Sequence, residues 1–328
     1  MSAPTGDCVA VEGKQAYGHY RKVILTARQL QALNHLSPAR AVRDTILLWA
    51  QILAAWIIVA RWPTWFTVLP AVVVIGTRYY ALYIVAHDGL HRRLFQSRRR
   101  NDLWNDLCIL GAIGAITRLN RHNHMRHHAT LALPDDPDIY KYGLTNKGDR
   151  IRFIASLTGF QQIGRALHNV FLVGGTADAP GDHYGLRDVA ILAGWQVALI
   201  GGLTFCIGWW AYPLLWLLPV YVFTFAADAV RVMLEHAVEN EAHPTVAERL
   251  ITYSSSRLER TFFAPMNMNF HAAHHLWPSV PYYNLPTADA IMRSSPENKG
   301  LVWRRSYSVR LVTMITTRPW LGRGQARP

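Results

Sequence analysis

Histidine is the residue type whose count and spacing point to chemistry. The chain holds 15 histidines, and nine of them fall in three clusters. His87 and His91 form the first; His122, His124, His127 and His128 the second; His271, His274 and His275 the third. On a helix, His87 and His91, at i and i+4, share one face. His124, His127 and His128 repeat the spacing of His271, His274 and His275, i with i+3 and i+4. Each set can therefore turn three imidazoles toward one side of a helix. His236, just after Glu235, is a further candidate. Imidazole suits zinc, copper, iron or nickel. Eight or nine imidazoles exceed the needs of one ion and match two. Cys8, Cys108 and Cys206 are far apart, so neither a thiolate zinc site nor a disulfide framework is readable. The His-Glu-x-x-His pattern of zinc proteases is absent. His19, His35, His168, His183 and His243 stand alone and read as ordinary surface or core residues. His122 falls outside the repeated spacing and reads as a neighbour of the ligands.

The elements that would position these rings are apolar runs. Residues 45–60 are uncharged, and residues 65–86 are apolar apart from Arg78. About 20 apolar residues cross a hydrocarbon core, so this pair reads as a transmembrane hairpin over 45–86. A second pair, 189–207 and 209–227, gives another hairpin within 189–231. Residues 107–117 are apolar but too short to span, which fits a re-entrant or interfacial segment. Residues 151–174 mix apolar and basic positions and read as a helix on the membrane surface. The remaining segments, 1–44, 87–188 and 232–328, are polar, and the last two carry the histidine clusters. Arginines crowd the segment after the second run, from Arg92 to Arg126, and are sparse in the turns within each pair. By the positive-inside rule both termini and the histidine-bearing segments face the cytoplasm. This topology uses no histidine, yet it puts every cluster at the cytoplasmic end of a span.

Composition agrees with two phases rather than one soluble domain. The 328 residues are 51% hydrophobic and include 12 Trp, yet carry 34 Lys+Arg and a formal charge of +13. The basic clusters abut apolar spans instead of forming a separate basic face, so no nucleic-acid partner is expected.

Four stretches carry a family pattern: His87 to Phe95 (HDGLHRRLF), Arg121 to Asp138 (RHNHMRHHATLALPDDPD), Arg231 to His236 (RVMLEH) and Asn269 to Pro278 (NFHAAHHLWP). Through them, from about Thr77 to Pro286, the chain resembles the membrane fatty acid desaturase superfamily, whose relatives include alkane hydroxylases and carotenoid ketolases. The resemblance implies an all-α integral membrane fold, with four transmembrane helices in two hairpins and a cytoplasmic helical cap. It implies two iron ions held by His87, His91, His124, His127, His128, His271, His274 and His275, with His236 as an extra ligand. Some desaturases place an asparagine ligand four residues before that histidine; here the position is Val232, so a water or another side chain would fill the coordination site. No fused cytochrome b5 heme motif is present. Electrons are therefore expected from a separate donor, a ferredoxin-type protein or a cytochrome with its reductase.

The expected reaction is O2-dependent oxidation of an aliphatic C–H bond, which resists acids, bases and nucleophiles. Desaturation of a fatty-acyl or lipid-like chain is placed ahead of hydroxylation or ketolation of a lipid, alkane or carotenoid. Metal-bound imidazoles need acceptors that fix their tautomers. Asp88, Asp135, Asp136, Asp138 and Glu235 are placed in sequence to serve, though Asp135-Asp136-Pro137 also reads as a surface turn. Arg78, a charge inside a span, is either a contact for a substrate carboxylate or headgroup, or a snorkelling residue, or a partner of Asp228. A membrane metal transporter would also be rich in histidine, but it needs ligands near the bilayer midplane, where these spans carry no histidine. A multi-heme electron carrier is a third reading, separated from a non-heme centre by a Soret band.

Overall fold

The first apolar run shows why this chain needs a membrane. In the computed structural model, which describes residues 18–131, 133–142, 147–159, 164, 184–237 and 247–317, a short helix α1 (Ala27–Leu33) precedes helix α2 (Pro38–Arg61). Thr26 and Gln29 cap α1 reciprocally, and Pro38 starts α2, where its missing N–H costs nothing. In α2 the stripe Ala41, Thr45, Leu48, Ile52, Ala55 and Val59 is buried. The opposite face is equally apolar and exposed, through Ile46, Leu47, Leu53, Ile57 and Ile58. A helix that is apolar all round belongs in a protein core or a bilayer. Among the described residues, four helices are long and apolar enough to cross a membrane: α2, α3 (Trp65–Leu90), and two later ones, Leu186–Cys206 and Pro213–His236.

Between the second and third of these lie α4 (Arg98–Cys108), a 3₁₀ turn (Leu110–Ile113), α5 (Thr117–Thr130), α6 (Ile139–Tyr142) and α7 (Lys147–Leu157). Leu186–Cys206 is α8. The fourth long helix is wound as a π-helix over Pro213–Thr224, with Pro219 inside it, and becomes the regular α9 (Phe225–His236). After it come α10 (Arg257–Phe263), α11 (His271–Leu276), α12 (Leu285–Ser294) and α13 (Tyr307–Thr317). Two short parallel strands, β1 (Ile251–Tyr253) and β2 (Val302–Arg304), pair with Ile251 opposite Val302. The helices run on past the apolar windows of the sequence: His87 and Asp88 sit in the last turns of α3, and Arg231, Glu235 and His236 in α9. Hydropathy marks where charge begins, whereas the hydrogen-bonded backbone continues.

An aromatic stack ties the long helices together. Trp49 of α2 lies against Trp195 of α8 (ring centroids 5.3 Å apart) and Trp216 of the fourth helix (6.0 Å), and Tyr79 of α3 meets Trp216 edge-on at 5.1 Å. These helices also receive the segment 107–117. Its irregular backbone would be costly in an apolar setting unless its carbonyls were satisfied. The long helices supply the donors: Trp195 Nε1 to Leu107 O (2.8 Å), Trp49 Nε1 to Cys108 O (2.7 Å) and Tyr79 OH to Ile109 O (2.6 Å). Gln196 Nε2 reaches Ala112 O (3.1 Å) and Tyr221 OH reaches Ile113 O (2.8 Å). Part of the surface helix expected over 151–174, and most of the following loop, lie outside the described residues; α7 covers its beginning.

Candidate metal centre

Each histidine is placed by a helix end. The α3 helix stops in a Schellman turn: Arg93 N–H bonds to Asp88 O (2.9 Å) and Arg92 N–H to Gly89 O (3.1 Å). Arg92 takes the left-handed conformation this turn requires (φ 59°). His87 lies in the last turn and His91 at the C-cap, so both rings leave α3 together. Gly89 between them allows α4 to approach, since a Cβ there would stand 2.4 Å from Asn105 Nδ2. Asn105 Nδ2 and Asn101 Nδ2 in turn donate to Ala86 O (3.1 Å) and Gly89 O (2.8 Å). His124, His127 and His128 project from α5, His236 ends α9, and α11 carries His271, His274 and His275.

The nine rings form two groups. His87, His91, His124, His128 and His274 have ligand nitrogens within 4.8 Å of one another. His127, His236 and His275 form a second set by the same measure. His271 joins that set through its Nε2, 3.0 Å from His236 Nε2. The two groups touch where the His128 and His275 rings stack at 4.2 Å. Each HxxHH pattern is divided between them. The i and i+4 rings of α5 (His124, His128) enter the first group and the i+3 ring (His127) the second. In α11 the i and i+4 rings (His271, His275) enter the second group and the i+3 ring (His274) the first.

In the first group His91 and His124 bring their Nε2 atoms to 2.6 Å, His124 and His128 to 3.1 Å, and His128 and His274 to 3.1 Å. Two imidazoles bound at right angles to one ion, each about 2.1 Å from it, stand roughly 3 Å apart. The second group adds tautomer control. His236 Nδ1 donates to Arg249 O (2.8 Å), His127 Nδ1 to Asp136 Oδ1 (2.9 Å), and His271 Nδ1 lies 3.2 Å from Glu235 Oε2. With oxygen acceptors on Nδ1, the lone pairs of His236 and His127 are left on Nε2, whereas His271 Nδ1 is shared between Glu235 and Arg231 Nη1 (3.4 Å). Buried His87 Nδ1 and His275 Nε2 have no hydrogen-bond partner among the described residues. Convergent, neutral, partly unpartnered imidazole nitrogens fit two mid-row metal ions. The described cysteines, Cys108 and Cys206, lie outside both sets.

Electrostatics keeps the rings neutral. Burial, with Arg93 and Arg121 nearby, pushes the His91 imidazole down to about 3. Burial and adjacent imidazoles likewise hold His124, His128, His271, His274 and His275 low. His127 is the exception: burial pulls it down, but the hydrogen bond and charge of Asp136 outweigh burial and raise it.

The acids named from sequence separate by role. Asp136 is buried and binds His127, the Tyr142 hydroxyl and the Asp138 N–H. Glu235, fully buried, accepts from Arg231 Nη1 (2.7 Å) and Tyr307 OH (2.5 Å) as well as facing His271. Asp88 accepts the Tyr282 N–H (2.7 Å), joining the end of α3 to the chain after α11. Asp138 pairs with Lys141 (3.1 Å), while Asp135 and His122 are exposed. Arg78 meets Gln51 of α2 at 3.4 Å and does not pair with Asp228, whose carboxylate is taken by Arg231 (2.9 Å) and Lys141 (3.3 Å). The sequence reading missed Arg231, Tyr307 and Tyr142 as supports of the site. The Asp228, Arg231, Glu235 spacing of i, i+3, i+7 on one helix face was its readable signal; the tyrosines had none.

A cavity of about 920 Å³ opens on the site. His87, His124, His127, His271 and His275 form its metal-site wall. Tyr83, Leu110, Ile113, Tyr221, Phe225 and Val232 give it apolar lining, and Asp228 and Lys141 add polar lining. Arg78 is not among the lining residues.

A family model described as fatty acid desaturase matches residues 63–307. The chain belongs to the fatty acid desaturase family. Two curated proteins are similar to it. A beta-carotene ketolase of Paracoccus sp. (strain N81106 / MBIC 01143) is 23% identical over 265 residues, 77% of this chain and 95% of the ketolase. An sn-1 acyl-lipid omega-3 desaturase (ferredoxin) of Nostoc sp. (strain 36) is 24% identical over 230 residues, 64% of this chain and 63% of that desaturase. The chain is thus a desaturase-family member with four membrane-length helices and a histidine cluster able to hold metal.

Proposed function

We propose that this protein is a membrane-bound di-iron oxidoreductase that uses O2 and two external electrons to desaturate an acyl or comparably apolar chain. The observation that carries the reading is the division of nine buried or half-buried imidazoles into two adjoining groups beside an apolar-walled cavity. Two iron ions would be held by His87, His91, His124, His128 and His274, and by His127, His236, His271 and His275. Once bound, the pair supplies the O2 activation that an aliphatic C–H bond requires.

The protein's own residues do the rest. Asp136 and the Arg249 carbonyl orient two rings of the second group, and Glu235 and Arg231 together bracket Nδ1 of a third, His271. Arg231 is held between Asp228 and Glu235, so its charge is matched inside the low-dielectric site. Val232, where some desaturases place an asparagine ligand, lines the cavity together with His271 and His275 and offers no donor, so a water or another side chain would fill that coordination site. The wall of Tyr83, Leu110, Ile113, Tyr221 and Phe225 suits a methylene chain, each buried CH₂ contributing about 0.8 kcal/mol. The four long helices form two hairpins, with both termini and the metal centre on the cytoplasmic side, where a separate ferredoxin-type or cytochrome donor delivers electrons. Desaturation balances as two hydrogens removed from the chain, two electrons and two protons from outside, and O2 released as two waters.

The ketolase, covered over 95% of its length, favours a second reading in which oxygen is inserted into the substrate. Mass spectrometry of lipid extracts from cells given ¹⁸O2, with and without the gene, separates the two. Desaturation gives a product lighter by two hydrogens and free of ¹⁸O. A product carrying ¹⁸O establishes hydroxylation or ketolation. Product formed at an undiminished rate under argon contradicts both.

A further inference from the structure

Helix α13 (Tyr307–Thr317) has an exposed face without a single charge. Ser308, Val309, Val312, Thr313, Ile315 and Thr316 point outward, and the helix's one charged residue, Arg310, is turned inward and buried. Val309, Val312 and Ile315 are 66%, 61% and 64% exposed. Facing water, such a helix would ordinarily place charged residues on this side. The threonines on this face bond back into the helix, Thr313 Oγ1 donating to Val309 O and Thr316 Oγ1 to Val312 O, each at 2.9 Å, so their hydroxyl protons are satisfied without water.

The position of α13 says what covers this face. Glu259 of α10 accepts from Ser306 Oγ (2.5 Å) and Ser308 N–H (3.0 Å), and Phe263 stacks on Tyr307 at 5.5 Å, so α10 and α13 form one unit. That unit is fixed to the membrane-length helices. The Phe262 ring lies 6.0 Å from Phe223, within the fourth apolar run, and Tyr80 OH of α3 donates to Phe263 O (2.8 Å). Leu258, one turn before Phe262, is 70% exposed. The apolar band of the spans therefore continues over Leu258 onto the Val309, Val312, Ile315 face.

We infer that α13 lies in the bilayer interface, with this face against lipid acyl chains, so that part of the C-terminal segment is a membrane contact rather than a water-exposed cap. Such helices sink their apolar face roughly 5–10 Å into the headgroup boundary. The inference rests on the membrane reading of the four spans.

Spin labels on single cysteines test it in the full-length protein reconstituted in phospholipid vesicles. The background is Cys8→Ser, Cys108→Ala, Cys206→Ala, and the labelled sites are Val309→Cys, Val312→Cys and Ile315→Cys. Leu69→Cys, on the exposed side of the second span, is the lipid control, and Glu297→Cys the water control. Collision with O2 reports hydrocarbon, and collision with a water-soluble nickel chelate reports solvent. The expected result is an O2-to-nickel ratio at all three α13 sites severalfold above that at Glu297→Cys and close to that at Leu69→Cys. A nickel-accessible Val312→Cys label with a lipid-facing Leu69→Cys label overturns the inference alone. Protection from both reagents at the α13 sites means protein cover, from this chain or a second copy, and also overturns it. A nickel-accessible Leu69→Cys label overturns the membrane reading itself.

Discussion

His127 and Asp136 are held together by two contacts, His127 Nδ1 lying 2.9 Å from one carboxylate oxygen and 3.1 Å from the other. Tyr142 anchors the same carboxylate, so the ring is fixed at both ends of a short buried chain. Replacing Asp136 by Asn removes the charge that holds the proton on His127 Nδ1 and puts an amide donor in place of one of the two oxygens that accept from His127, Asp138 N–H and Tyr142. Loss of such a partner costs about 10–100-fold in metal affinity. Asp136→Asn should therefore release metal to a competing chelator at that much lower chelator concentration, while Asp135→Asn, at an exposed position, should not. Equal retention in both variants would refute the role given to Asp136.

Glu235 is coupled to Arg231, His271 and Tyr307 with no water-exposed surface. Glu235→Gln leaves the Arg231 charge with Asp228 alone in a low-dielectric site. Breaking a buried pair by removing one partner costs about 3–5 kcal/mol. Tyr307→Phe removes one hydrogen bond and should cost only about 1–3 kcal/mol. Thermal unfolding in detergent should rank wild type above Tyr307→Phe above Glu235→Gln. An unshifted Glu235→Gln transition would contradict the coupling.

Gly89→Ala tests the approach of α4 to the first histidine pair. The new methyl would stand 2.4 Å from the Asn105 amide, which is already bonded to Ala86 O and fully buried. Overpacking of this kind costs about 1–3 kcal/mol. Gly201→Ala in α8 meets nothing within 4 Å and should gain up to about 1 kcal/mol of helix propensity. Melting temperatures of the pair should move in opposite directions, and metal content should fall only in Gly89→Ala.

Acid should destabilise the metal-free fold. His91 is held near 3, and His124, His128, His271, His274 and His275 are also held low by burial. The same rings in an unfolded chain protonate near 6.5. Between these values the unfolded state binds protons that the folded state does not, so stability falls as pH drops below about 6.5. His127, raised by Asp136, has the opposite sign: its contribution is full below 6.5 and fades as pH climbs through its folded value. One ring against six leaves the acid loss dominant. Unfolding temperatures of metal-stripped protein should decrease from about pH 7.5 to about pH 5.5; a rise over that range would contradict the neutral-imidazole site.

Much of this was legible in the sequence because two periodicities are simple. Apolar runs mark membrane-length helices, and i, i+3, i+4 spacing marks rings that leave a helix on one side. The division of those rings was not legible. His127 goes one way and His124 and His128 the other because α5 faces α11 across the site, a tertiary relationship that spacing within one helix does not encode. The same holds for the neighbouring acids Asp135 and Asp136, one exposed and one buried, whose difference is set by how the chain turns back toward α6. Arg78 drew notice as an intramembrane charge, yet its neighbour is Gln51 on the adjacent helix. The segment 107–117 read as too short to span; the donors that make its irregular backbone tolerable, Trp49, Tyr79, Trp195, Gln196 and Tyr221, come from spans distant in sequence.

The most direct test of the account is stepwise metal reloading of stripped protein, with metal per chain and turnover of an acyl-lipid substrate followed in the same samples under O2 with reductant and donor. The two imidazole groups predict that iron binds to a limit of two per chain, that turnover appears as the second iron binds, and that zinc fills the sites without restoring it. Full turnover with a single metal per chain, or with zinc alone, would contradict the di-iron reading.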